Sequence, residues 1–130
     1  MKLDSIAPNA HYDMEHGKPA AIQHDNDGST IIRYNIEPEF AEKEGETEPE
    51  QIGWMCHEVR IWNNPEKAST KKAVIRDVID ESAEFALVNA FNSHALGIEI
   101  NPAAVEEYKE YLQFRADVDK MVESILEETD

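Results

Sequence analysis

The spacing of apolar residues changes once along this chain, at Asn63-Asn64-Pro65, and that change limits the folds open to it. Before it, apolar and polar residues alternate: Thr30, Ile32, Tyr34 and Ile36 interleave with Ile31, Arg33 and Asn35. Residues 52–62, "IGWMCHEVRIW", alternate in the same way. Alternation places successive side chains on opposite faces of a β-strand. After the change, apolar residues recur every three or four positions, as one stripe of a helix requires. The expected fold is α+β: a small antiparallel β-sheet, a hairpin or meander, followed by two or three α-helices, the last one long.

Length places the 130 residues in one domain, 1–130, with a sheet part at 20–62 and a helical part at 65–128. Residues 1–19 are broken by Pro8, Gly17 and Pro19 and read as a loop or edge strand. "HDNDG" precedes the first strong strand and poses a choice between a cation loop and a turn. With Gly28 in the sixth place of an EF-hand loop, Asp25 and Asp27 fall on ligand positions, but Tyr34 stands where the bidentate Glu is needed. Asn26, Asp27 and Gly28 tolerate positive φ, so the segment reads as a hairpin turn. Residues 37–50 hold seven Glu, one Lys and two Pro, and read as a solvated acidic loop between strands.

In the strand at 52–62, Met55, His57, Val59 and Ile61 form the expected core face. Trp54, Cys56, Glu58, Arg60 and Trp62 form the other, with Glu58 and Arg60 spaced for a same-face ion pair. Two tryptophans around a charged pair make Trp54, Glu58, Arg60 and Trp62 the candidate partner-binding face where it is exposed; burial is the ordinary fate of such aromatics. Asn64 and Pro65 fit a helix cap and first turn, with Ala68, Val74, Ile75, Val78 and Ile79 inward. A second helix, or a continuation past a kink, turns Phe85, Val88 and Phe91 inward and ends near Gly97. The last helix, 102–128, carries Val105, Tyr108, Leu112, Val118, Met121, Val122, Ile125 and Leu126. At about 40 Å it is long for a domain of this size, so its end either projects toward a copy or partner, or packs and frays.

Charge excludes several functions. The chain has 28 acids and 12 bases, a net charge of −16, and only "EKASTKKAVIR", 66–76, is locally basic. Such a chain is not expected to bind nucleic acid directly or to sit on an anionic membrane. No stretch approaches a membrane span, and the first twenty residues lack a signal-peptide core, so a cytoplasmic location is expected. The lone Cys56 forms no internal disulfide and reads as a small buried hydrophobe. His57 beside it points to the opposite face, so the two are no catalytic pair, and His94 could reach Cys56 only through the fold. His11 and His16 are five apart, off a shared helix face, and read as loop residues rather than zinc ligands. No nucleotide, hydrolase or kinase motif is present, and neither a catalytic residue, a metal nor a cofactor is expected.

The succession "GKPAAIQ", "DGSTIIRYNIE", "CHEVRIW", "VIRDVID", "EFALVNAFN" and "EYKEYLQFRADV" covers residues 17 to 120. It resembles a group of small acidic proteins encoded by phages and prophages of gut bacteria, often among structural or tail-region genes. The acidic segment at 37–50 departs from that pattern. The resemblance implies a non-enzymatic interaction protein assisting tail or virion assembly. Its partner would be a phage structural protein or a second copy, and its place the host cytoplasm or the virion. Two other readings are an acidic mimic of nucleic acid that inhibits a host DNA-binding protein, and a small enzyme with a pocket around Glu58, His57 or His94.

Overall fold

The computed structural model describes residues 1–42, 45, 48–62 and 65–127. They form two compact units that divide at Pro65–Glu66, with Met1–Ser5 belonging to the helical unit. The fold class is α+β, a four-stranded antiparallel sheet followed in sequence by three helices.

The sheet contains β1 (Ala10–Asp13), β2 (Ile22–His24), β3 (Thr30–Ala41) and β4 (Glu50–Ile61), in the spatial order β1-β4-β3-β2. The expected hairpin is β2–β3. Its turn places Gly28 at φ 89°, and the Asp25 N–H donates to the Ser29 carbonyl at 2.9 Å. The turn's carboxylates are already engaged: Arg60 reaches Asp25 at 3.0 Å and Asp27 at 3.8 Å, while Ser29 donates to Asp27. These contacts hold both carboxyls below the usual range, Asp25 mainly through Gln23 and Arg60, and Asp27 mainly through Ser29.

The acidic loop is shorter than its composition indicates. β3 runs on to Ala41 and β4 begins at Glu50, so both ends of the 37–50 segment are strand. The continuation passes through a bulge between Tyr34 and Glu37, where Asn35 adopts φ 54°. Asparagine tolerates this left-handed geometry better than most residues. Pro38 is accommodated because β2 pairs only with Thr30–Ile32, leaving that side of β3 free of ladder bonds further on. Lys43, Glu44, Glu46 and Thr47 of the loop lie outside the described residues.

Residues Thr30–Tyr34 are buried on both faces of the strand. Of the expected core face on β4, Val59 and Ile61 are buried, while Met55 and His57 are half-buried. Cys56, on the opposite face, is fully buried as expected.

The helical unit has α1 (Lys67–Val78), α2 (Glu81–Ala95) and α3 (Pro102–Glu127). The cap expected at Asn64 lies outside the described residues. The N-cap is Glu66, whose N–H donates to Ser69 Oγ at 3.3 Å. α1 and α2 are separate helices. Ile79 leaves helical geometry, and the Asp80 side chain caps α2 by accepting from Ala83 N–H at 2.7 Å. Gly97 ends α2 at φ 75°, and the Ile98 N–H closes back on the Ser93 carbonyl.

The length of α3 has a simple account. Its 26 residues span about 39 Å, and the 12 and 15 residues of α1 and α2 together span about 40 Å. α2 lies along the first half of α3, with Phe91 stacked on Tyr108 at 4.6 Å. α1 lies along the second half, where Lys71 reaches Glu123 at 3.2 Å. The helix stays buried out to Ile125, so its end does not project bare as one reading of its length allowed.

The buried stripe of α3 is Ala104, Tyr111, Phe114, Val118, Val122 and Ile125. Leu112, expected inward, is 47% exposed, because the packed seam runs through its neighbour Tyr111. On α2, Phe85 was likewise expected inward but is 62% exposed, whereas Val88 and Phe91 are half-buried. On α1, Val74 and Ile75 are buried as expected, Val78 is half-buried and Ala68 is exposed; Ile79, just past the helix, is buried.

Candidate functional site

The alternation of β4 puts Trp54, Glu58 and Arg60 on one face, and the structure gives each a different setting. Glu58 stands opposite Arg33 in the β3–β4 register. Its carboxylate accepts from Arg33 Nε at 2.8 Å and from the Tyr12 hydroxyl. The ion pair anticipated between Glu58 and Arg60 is therefore replaced by Glu58–Arg33. Cross-strand neighbours are closer than residues two apart on one strand, which lie about 6.6 Å from each other. Arg60 turns instead to Asp25 and Asp27 in the β2–β3 turn.

Arg33 is the residue that sequence reasoning passed over. It is only 4% exposed, and each of its three guanidinium nitrogens has an acceptor. Besides Glu58, it donates to the Ala20 carbonyl at 3.0 Å, to Gln23 Oε1 at 2.6 Å and to the Tyr12 hydroxyl at 3.1 Å. Tyr12, Gln23, Arg33 and Glu58 come from β1, β2, β3 and β4, so one side chain fastens all four strands. Burial pushes the Glu58 carboxyl up and the Arg33 guanidinium down from their ordinary values, and their 2.8 Å contact opposes that pressure toward neutrality. The available signal was an arginine set among Ile31, Ile32 and Tyr34, where a charge needs a partner to be buried.

Beside this network lies a cavity of about 220 Å³, bounded by Tyr12, Asp13, His16, Gln23 and Arg33. The polar groups on its Arg33 side already bond to one another. Trp54 is half-buried, and its indole N–H has no acceptor among the described residues. Trp62 follows the end of β4, is 66% exposed, and carries the Arg60 guanidinium 5.8 Å above its ring. Eight strand residues separate the two indoles by about 26 Å, too far for one compact contact.

The remaining candidates are dispersed. His57 faces the Ala7 carbonyl at 2.9 Å, and His11 pairs with Glu39 at 3.0 Å. His94 Nδ1 accepts from Asn101 N–H at 2.9 Å and so fixes the link between α2 and α3. Burial pushes the Cys56 thiol up, the opposite of what a nucleophile needs.

A different feature stands out in the helical unit. α2 contains no buried residue, although half its length is apolar. At its end, in "LGIEI", Leu96, Ile98 and Ile100 are 74%, 77% and 73% exposed. Glu99 lies between the two isoleucines and is also exposed. Sequence reading assigned no role to residues 98–100, and the three apolar residues at alternate positions were the signal. No helix among the described residues is long and apolar enough to cross a membrane. No family model, curated protein or solved structure matches the chain.

Proposed function

We propose that this chain is a non-enzymatic protein-interaction module of phage or prophage origin that assists tail or virion assembly in the host cytoplasm or on the particle. The observation that carries the reading is the exposed apolar end of the α2–α3 hairpin, Leu96, Ile98 and Ile100. Three large aliphatic side chains left in water within five residues gain free energy when a partner covers them. Glu99 within the segment, and Glu106 and Glu107 in the following helix, favour a partner whose apolar pocket is rimmed by cations. From the face marked on β4, Trp62 remains as a second exposed aromatic contact.

The test is affinity capture from prophage-induced host cells, comparing the native chain with Leu96→Ser/Ile98→Ser/Ile100→Ser. The expected result is recovery of a tail or capsid component that resists about 0.5 M salt, where exposed charges are largely screened, and that the triple variant loses. Equal recovery by the variant would overturn the docking surface. A nuclease, polymerase or repressor released as salt rises would instead support the acidic mimic.

A further inference from the structure

The one basic stretch of the sequence, 66–76, forms most of α1 and turns three of its four cations, Lys71, Lys72 and Arg76, toward a cleft. We propose that this cleft, where α1, α2 and α3 meet, binds a small phosphorylated organic molecule. The cleft holds about 450 Å³ and is lined by Lys71, Lys72, Arg76 and Arg115, four of the chain's 12 bases. That volume lies within the range of small-ligand sites.

Carboxylates outnumber cations by 28 to 12, so partners for every cation are plentiful. Lys71 and Arg76 have taken theirs. Lys71 reaches Asp119 and Glu123, and Arg76 grips Glu84 through both terminal nitrogens at 3.1 and 3.3 Å. Lys72 and Arg115 make no ion pair among the described residues, and the buried Nε of Arg76 has no acceptor there. Arg115 rests on Tyr111, its guanidinium 6.0 Å from the ring centroid and donating to the Tyr111 hydroxyl at 3.4 Å, so its charge meets a neutral partner and no carboxylate among the described residues.

Two cations without an ion pair, lining one cleft beside the paired Lys71 and Arg76, form a receptor for a compact dianion. Ala68 and Ile75 give the same cleft an apolar lining for the carbon body of the ligand. Glu81, Glu84 and Asp119 also border it, and their charge disfavours an extended polyanion more than a compact one. The ligand class is therefore a small phosphate monoester, not nucleic acid.

The probe is phenyl phosphate, titrated into the isotopically labelled full chain at low ionic strength and followed by amide chemical shifts. Saturable shifts centred on residues 68–76 and 115–119 are expected. Arg115→Gln and Lys72→Gln should each weaken them about tenfold or more, as loss of a charged hydrogen bond does. Lys120→Gln, which changes a cation that does not line the cleft, should leave them unchanged. Absence of saturation at about 10 mM, a hundredfold weaker than a 100 μM site, would overturn the proposal. So would equal weakening by all three variants, which would mean diffuse charge attraction. Circular dichroism of each variant establishes that it is folded.

Discussion

Arg33 and Gly53 show how much a single residue decides in the sheet. Arg33 is buried and paired with Glu58, and removing one partner of such a pair leaves the other stranded. Arg33→Met should therefore cost about 3–5 kcal/mol in chemical denaturation. Arg33→Met/Glu58→Leu should recover much of that loss, because it buries no lone charge. If the double variant were no more stable than the single, the cost would lie in packing rather than electrostatics. Gly53 is needed for a different reason. It pairs with Asp13 on β1, and a Cβ there would lie 2.0 Å from the Tyr12 carbonyl oxygen. Gly53→Ala should cost about 3 kcal/mol and detach β1, seen as faster amide exchange at residues 10–13. The linear pattern flags Arg33 as a charge among apolar residues but names no partner for it, and it gives Gly53 no role. Alternation assigns Arg33 to a face, but the bulge at Asn35 and the register of β1 determine what it meets there.

At the scale of elements, the helical unit depends on the joint between α1 and α2. Arg76, near the end of α1, grips Glu84 in the first turn of α2, and Tyr111 of α3 donates to the same carboxylate. These contacts, led by the Arg76 hydrogen bonds, hold the Glu84 carboxyl below its ordinary value of 4.5. A carboxyl whose folded value is depressed contributes stability that is fully present above the unfolded value. The contribution is then lost as pH falls through the folded value. Glu84→Gln should accordingly be less stable than the native chain above about pH 4.5, with the difference shrinking as the solution is acidified further. A difference independent of pH between about 3 and 6 would show that Glu84 acts through shape alone. The helices themselves were legible from their period and caps. The rotation of α3 was not: choosing Tyr111 rather than Leu112 for the seam moves the stripe by 100°, and only packing against α1 and α2 makes that choice.

For the whole molecule the controlling quantity is the net charge of −16. Like charges repel more when the chain is compact than when it is extended, so low salt should destabilise the fold. Raising sodium chloride from about 10 mM to about 500 mM shortens the screening length from about 30 Å to a few ångströms and should raise the melting temperature. A falling melting temperature would mean that attractive pairs such as Arg60–Asp25 outweigh the repulsion. The same field bears on binding. It favours positively charged over negatively charged partners for the proposed Leu96–Ile100 docking segment.

The α+β class, the hairpin turn at Gly28, the long last helix and the burial of Cys56 were legible in the linear chain. The extension of β3 to Ala41 and the break between α1 and α2 were not. Each legible feature follows from local conformational preference or from the period of apolar residues, which a reader of the chain can count. The tertiary structure alone decided that Glu58 pairs with Arg33, that β1 closes against Gly53, that α3 carries two helices end to end, and that Leu96, Ile98 and Ile100 are left in water. Those outcomes depend on which distant segments come together, and neither periodicity nor propensity holds that information.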